Sequence, residues 1–211
     1  MPARAPVRPY HHGDLREALL VAASEILEEG GPGTLSLRDV ARRAGVSHTA
    51  PYRHFRSRAD LLYALAGLGF QELDRATREA GHVDADAREQ LIGAGVAYVR
   101  LAVRHRERTQ LMFGGMLPPQ EAPPEVVTIA QASLDALFEM IERGKQQGVF
   151  LNRDTRELAL SAWALVHGAA MLIVGGQCPI DLNSDQELEA FVLPLIESLL
   201  NGIQNPKGDA A

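Results

Sequence analysis

Residues 47–55, "SHTAPYRHF", gather hydroxyl, imidazole, phenol and guanidinium groups in nine positions without a single acid. Such groups donate hydrogen bonds to anionic oxygens and to the edges of bases. At about 100° per residue, Pro51 and Phe55 fall on one side and can pack inward. Thr49, Ala50 and Arg53 take the opposite side, and Tyr52 and His54 lie on the flanks. Small and polar groups at the centre with donors on both edges suit a DNA major groove. Central side chains reach base edges there, while flanking ones reach the phosphates on either side.

The charge distribution agrees with this chemistry. The 211-residue chain carries a formal net charge of −6. Residues 1–60 nonetheless hold 9 Arg against 7 Asp and Glu, and residues 61–211 carry the acidic excess. Between Ser36 and Arg58 stand Arg38, Arg42, Arg43, Arg53, Arg56 and Arg58, with Asp39 as the one acid. A basic segment on an acidic body implies an anionic partner for one small region, or a solvated basic face. The single cysteine, Cys178, excludes an internal disulfide and a thiolate zinc cluster, and fits a cytoplasmic setting. No apolar core follows the basic residues of the first fourteen positions, so they do not read as a signal peptide.

The elements that position residues 47–55 are helices, and the fold class is all-α. "DLRE" puts Glu17 three residues after Asp14, a capping box that starts the first helix there. "GGPG" at residues 30–33 stops it. "SLRD" opens a short second helix at Ser36, with Leu37, Val40, Ala41 and Ala44 on one apolar stripe. Gly45 suits a left-handed helix end, and Ser47 two residues on caps another short helix. Two short helices across a tight glycine turn form a helix-turn-helix. Ser57 caps a longer helix over residues 58–79. Beyond residue 80 come longer helices, with a break at "PPQEAPPE". The penultimate one covers residues 154–174 and the last, which Pro194 should bend, about 186–202.

Five other groups of residues could carry chemistry. His167 lies in an apolar helix near Trp163 and Met171, where it could touch a ligand or be a hydrogen-bonded histidine of a core or dimer interface. Met112, Phe113, Met116 and Trp163 could line an apolar pocket or simply fill a core. His11 and His12, adjacent and without further ligands, make a poor metal site, so no metal is expected. Arg4 and Arg8 belong to an N-terminal arm able to enter a minor groove. Cys178 lacks both a partner cysteine and a basic neighbour in sequence, which disfavours a redox role. No nucleophile elbow, phosphate loop or paired catalytic His/Asp signature occurs, so an enzyme is not expected. The uncharged run at residues 158–176 is long enough to span a membrane. However, it contains Ser161, His167 and several small residues, and no basic cluster follows it. A helix buried between a core and a dimer partner explains it as well, and no membrane is expected.

Residues 14–62, with three capped helices, the "AGVS" turn, Tyr52-x-His54-Phe55 and the basic-Ser-basic-x-acid run after it, resemble the N-terminal domain of the TetR/AcrR family of bacterial transcriptional regulators. "WALVHG", from Trp163 to Gly168, is similar to a branch of that family with a Trp-x-x-x-His-Gly signature. The resemblance implies an N-terminal arm and helix-turn-helix DNA-binding domain over residues 1–58, and a helical effector-binding and dimerisation domain over residues 59–211. It implies a homodimer, joined through the last two long helices, that places two recognition helices on a palindromic operator in double-stranded DNA. The expected activity is that of a repressor released by a small-molecule effector, with no cofactor. An orphan DNA-binding protein without an effector is the alternative.

By position, the resemblance implies phosphate contacts and caps at Ser36 and Ser47, and base contacts at His48, Thr49 and Arg53. Backbone contacts are implied at Tyr52, His54 and Arg58. The effector-pocket candidates are Met112, Phe113, Met116, Trp163, His167 and Met171. The sequence departs from the family at His48, often Lys, and at Pro51, often a larger apolar residue.

Overall fold

The computed structural model describes residues 12–81, 86–178 and 184–203, in which all regular structure is helical and no strand occurs. Eight α-helices follow one another: α1 (His12–Gly30), α2 (Leu37–Arg43), α3 (Arg58–Ala80), α4 (Ala87–Arg104), α5 (Arg106–Phe113), α6 (Pro124–Gln146), α7 (Thr155–Val174) and α8 (Asp185–Ile203). They build two compact units, one ending at Leu65 and the next beginning at Ala66. The boundary falls inside α3. Arg4, Arg8 and His11 lie outside the described residues.

The first unit is assembled on the apolar stripe of α1. Leu19, Ala23 and Leu27 are completely buried and share the core with Leu35, Val40, Phe55, Leu61 and Leu65. Each fully buried leucine contributes on the order of 1.5–3 kcal/mol relative to an exposed one. α1 already begins at His12, so Asp14 lies within it rather than capping it. Ser36 is the N-cap of α2, its Oγ accepting from the Asp39 amide at 3.1 Å. Gly45 adopts φ 68°, the left-handed conformation that ends α2 and turns the chain back. Ser57 Oγ accepts from the Asp60 amide at 3.0 Å, capping α3.

The segment after the turn differs from the expected short α-helix. Pro51–Arg53 is a single 3₁₀ turn, preceded by the turn at residues 48–50. Proline supplies the reason, since Pro51 has no N–H to donate to the Ser47 carbonyl. The Ala50 amide takes that carbonyl instead at 2.9 Å, and Arg53 N donates to Ala50 O at 3.2 Å. Pro51 and Phe55 are buried, as the wheel places them, but Ala50 is buried with them. The tighter winding turns Ala50 from the outer face inward.

In the second unit α4 is the central element and packs against α6, α7 and α8. Val99 of α4, Ile141 of α6, Ala159 and Ala170 of α7, and Leu200 of α8 are completely buried in one core. Gly144 of α6 lies face to face with the Phe150 ring, and a Cβ at that position would stand 2.2 Å from the ring's Cδ2. Gly148, φ 71°, ends α6. Asp154 caps α7 by accepting from the Glu157 amide at 2.9 Å. Pro194 sits inside α8 on its exposed side.

Candidate functional site

In the first unit, the turn and the 3₁₀ segment present a continuous polar surface. Ser47, His48, Thr49, Tyr52 and Arg53 are exposed, and His54 is half-buried. Tyr52 is 59% exposed, a large ring standing free of the core that holds Phe55 beside it. Ser47 Oγ and Thr49 Oγ1 lie 3.2 Å apart and share a hydrogen bond. Ser36 is engaged locally, donating to Asp39 Oδ2 at 2.5 Å.

The arginines separate into two groups that composition alone does not distinguish. Arg42 pairs with Asp39 at 2.6 Å, and Arg56 with Asp60 at 3.1 Å. Arg43 reaches across to α1, where it binds Glu29 at 2.6 Å and Glu25 at 3.2 Å. The Arg43 guanidinium holds the Glu29 carboxyl below its ordinary range, and Arg56 does the same for Asp60. Arg58 donates from Nε to the Leu35 carbonyl at 2.7 Å, and also to the Pro32 carbonyl, tying α3 to the loop before α2. Arg38 and Arg53 are exposed and have no ion pair among the described residues. Arg38 is therefore a cation that the sequence pattern did not single out. Its signal is negative, because the acids Glu25, Glu29 and Asp60 that occupy its neighbours are supplied from outside the stretch of residues 36–58.

The second unit brings together several of the apolar candidates around His167. The Phe113 ring meets the imidazole edge-on with centroids 4.8 Å apart, and Trp163 lies tilted at 5.2 Å. Tyr98, which the sequence did not reveal, contributes its hydroxyl at 2.9 Å from His167 Nδ1. Sixty-nine positions separate the two residues, and no local pattern connects them. Burial pushes Tyr98 up to about 12, partly opposed by a hydrogen bond with Trp163, and burial pushes His167 below its ordinary value. Tyr98 Oη and His167 Nδ1 share one hydrogen bond, and the tautomer of the imidazole sets which of them donates.

Beside this cluster lies a cavity of about 20 Å³, room for about one water. Its lining includes Leu73, Tyr98, Leu101, Met112 and Phe113, with Glu72, His105, Arg108 and Thr109 as polar members. Of the effector-pocket candidates, Met112 and Phe113 line this cavity and Met116, Trp163, His167 and Met171 do not; Met171 is half-buried on α7 and Met116 is 48% exposed. Among the described residues no cluster of His, Cys, Asp or Glu could hold a metal ion.

A helix-turn-helix unit followed by an all-helical unit defines a class of bacterial DNA-binding regulators. Residues 19–65 match the family model for bacterial regulatory proteins of the tetR family, and residues 91–195 match the tetracyclin repressor-like C-terminal domain. The chain belongs to the TetR family of sequence-specific DNA-binding transcriptional regulators. It is 29% identical over 174 residues to the HTH-type transcriptional activator FasR of Mycolicibacterium smegmatis, covering 82% of this chain and 78% of that one. It is 29% identical over 189 residues to the HTH-type transcriptional regulator Rv1816 of Mycobacterium tuberculosis, covering 76% and 80% respectively. A solved structure from Rhodococcus sp. RHA1, of a protein with unknown function, superposes with a TM-score of 0.81 at 37% identity, covering 93% of this chain and 99% of that one.

Proposed function

We propose that the protein is a homodimeric repressor that leaves a palindromic operator when a small molecule binds its C-terminal domain. The observation that carries the DNA reading is the exposed row Ser47, His48, Thr49, Tyr52 and Arg53, projecting from a segment whose Pro51 and Phe55 are buried. In this reading residues 1–58 are the DNA-binding domain and residues 59–211 the effector-binding and dimerisation domain. His48, Thr49 and Arg53 contact bases; Tyr52, His54 and Ser47 contact phosphates, joined by Arg38. Ser36 and Arg58 act mainly by holding the domain's shape, given their internal bonds.

The dimer forms through α7 and α8. Leu160, Ala164, Gly168 and Leu172 recur every fourth residue on α7, and Leu172 is 49% exposed. α7 is long and apolar enough to cross a membrane by length and composition. A second copy of the chain covers this face more naturally than lipid, because small residues at its centre allow close helix approach. The protein then works in the cytoplasm. The ring cluster of Phe113, Trp163 and His167 is assigned to the effector, together with the candidates Met112, Met116 and Met171. Trp163, His167 and Gly168 supply the signature of the Trp-x-x-x-His-Gly branch.

An effector acts by its different affinity for two dimer states, and α3 is the lever because residues 58–65 belong to the first unit and the rest to the second. Transcription in vitro from a promoter carrying a selected operator tests the reading: added protein should lower the transcript, and effector should restore it. An activator reading has one observation in its favour, the activator FasR among the relatives. A rise in transcript on adding the protein would select it.

A further inference from the structure

The wall of the cavity in the second unit holds a charged pair at a place where apolar side chains would pack more simply. Glu72 projects from α3 and Arg108 from α5, with Arg108 Nη1 2.5 Å from Glu72 Oε2. His105 stands on the same side, its Nε2 3.9 Å from Glu72 Oε1. The Arg108 side chain is only 14% exposed and that of Glu72 29%, so the pair is largely taken out of water. A pair in such a setting contributes little net stability against well-packed apolar residues, which points to a role in recognition. Opposite the charges the wall is apolar, formed by Leu73, Leu101, Met112 and Phe113, with Phe70 edge-on to Phe113 at 5.4 Å.

Met112 borders this space and packs over Gly69. Its Sδ lies 2.4 Å from where a Cβ on Gly69 would stand, and Arg108 Cδ lies 3.1 Å from the same point. The bare backbone at Gly69 thus makes the room that Met112 and Arg108 occupy. Methionine is unbranched and repacks readily, so it can yield its place to an apolar ligand.

Resting on the reading of the second unit as the effector domain, we propose that the effector is a carboxylic acid with a compact apolar body, whose carboxylate replaces that of Glu72 on Arg108. The exchange is like for like. Arg108 keeps a bidentate-capable anionic partner throughout, and Glu72, the more exposed member, turns to solvent. A cationic ligand would compete with Arg108 for Glu72 and break the close pair instead of replacing one of its members. The apolar body displaces Met112 toward the space beside Leu73 and Phe113. Because Glu72 belongs to α3, the exchange cuts an ion pair between that helix and α5, which gives the ligand a direct hold on the lever.

The test uses octanoate and 4-phenylbutyrate, their primary amides and their amine counterparts, with calorimetric titration into the full chain. Operator binding by the same preparations is measured in parallel. The acids should bind and the amides and amines should not. Arg108→Gln should weaken acid binding by about tenfold or more, the loss of a hydrogen bond to a charged group. Glu72→Gln, which removes the internal competitor, should strengthen it, a change of sign that a merely structural role does not produce. Amides binding as well as acids would overturn the proposal, as would acid affinity unchanged in both variants or absent in protein that holds operator DNA. Failure of the unmodified chain to hold any operator instead counts against the regulator reading, and the titrations then judge the acid site by themselves.

Discussion

Arg53 and Arg38 are chemically identical, but the proposed function gives them different tasks. Arg53 lies in the 3₁₀ turn after the helix-turn-helix glycine, and Arg38 on the exposed side of α2. Arg53→Ala should cost about 1–3 kcal/mol of operator affinity and relax preference at one base position. Arg38→Ala should weaken all sequences alike and reduce the slope of affinity against salt by about one. Titration by fluorescence anisotropy at several salt concentrations separates the two. Arg58→Ala should instead lower the melting temperature, because its guanidinium binds the Leu35 and Pro32 carbonyls. At His167 the consequence is pH dependence. Burial holds its pKa below the ordinary 6.5, so the unfolded chain takes up the proton first as pH falls. Its contribution to stability is complete above about pH 6.5 and declines below it. Melting from pH 8 to pH 5 should fall less steeply in His167→Gln than in the unaltered chain; equal slopes would refute the assignment. Donor types and their clustering were legible in the sequence. The neutralisation of Arg43 was not, because Glu25 and Glu29, 18 and 14 positions away, reach it only through folding.

Helices with a local punctuation mark were the readable ones. Ser36, Gly45, Ser57, Gly148 and Asp154 act within three or four residues of the boundaries they set, so their effect needs no tertiary context. The segment at residues 48–55 was readable in its inward pair, Pro51 and Phe55, and not in its winding. A helical wheel presumes the i→i+4 bond that Pro51 abolishes, and Ala50 changes face as a result. Contacts such as Tyr98 with His167 or Glu72 with Arg108 depend on how helices pack, and they left no trace in spacing. The same packing makes Gly144 a sensitive position. Gly144→Ala drives a methyl group into the Phe150 ring and should destabilise the second unit by about 1–3 kcal/mol, measurable by urea denaturation. Little change would mean that Phe150 can move aside.

At the scale of the whole molecule, the fold and its place in the TetR family account for an acidic chain with a basic segment: the acidic excess belongs to residues 61–211, and Arg38 and Arg53 stand exposed in the basic segment without an ion pair among the described residues. In the proposed reading function requires two copies, because one turn with five exposed donors would read only half of a symmetric site. Leu172→Glu puts a charge on the exposed apolar stripe of α7 and should convert the dimer to a monomer in light scattering, with operator affinity falling sharply. An unchanged mass would remove α7 from the interface. The most direct test of the central claim is selection of bound DNA from a random pool by the purified chain at a fixed, stated salt concentration. Enrichment of one two-fold symmetric sequence, lost or altered at defined positions in Arg53→Ala, is the predicted result. Recovery of no preferred sequence, or of an asymmetric one that Arg53→Ala reads equally well, would contradict the account.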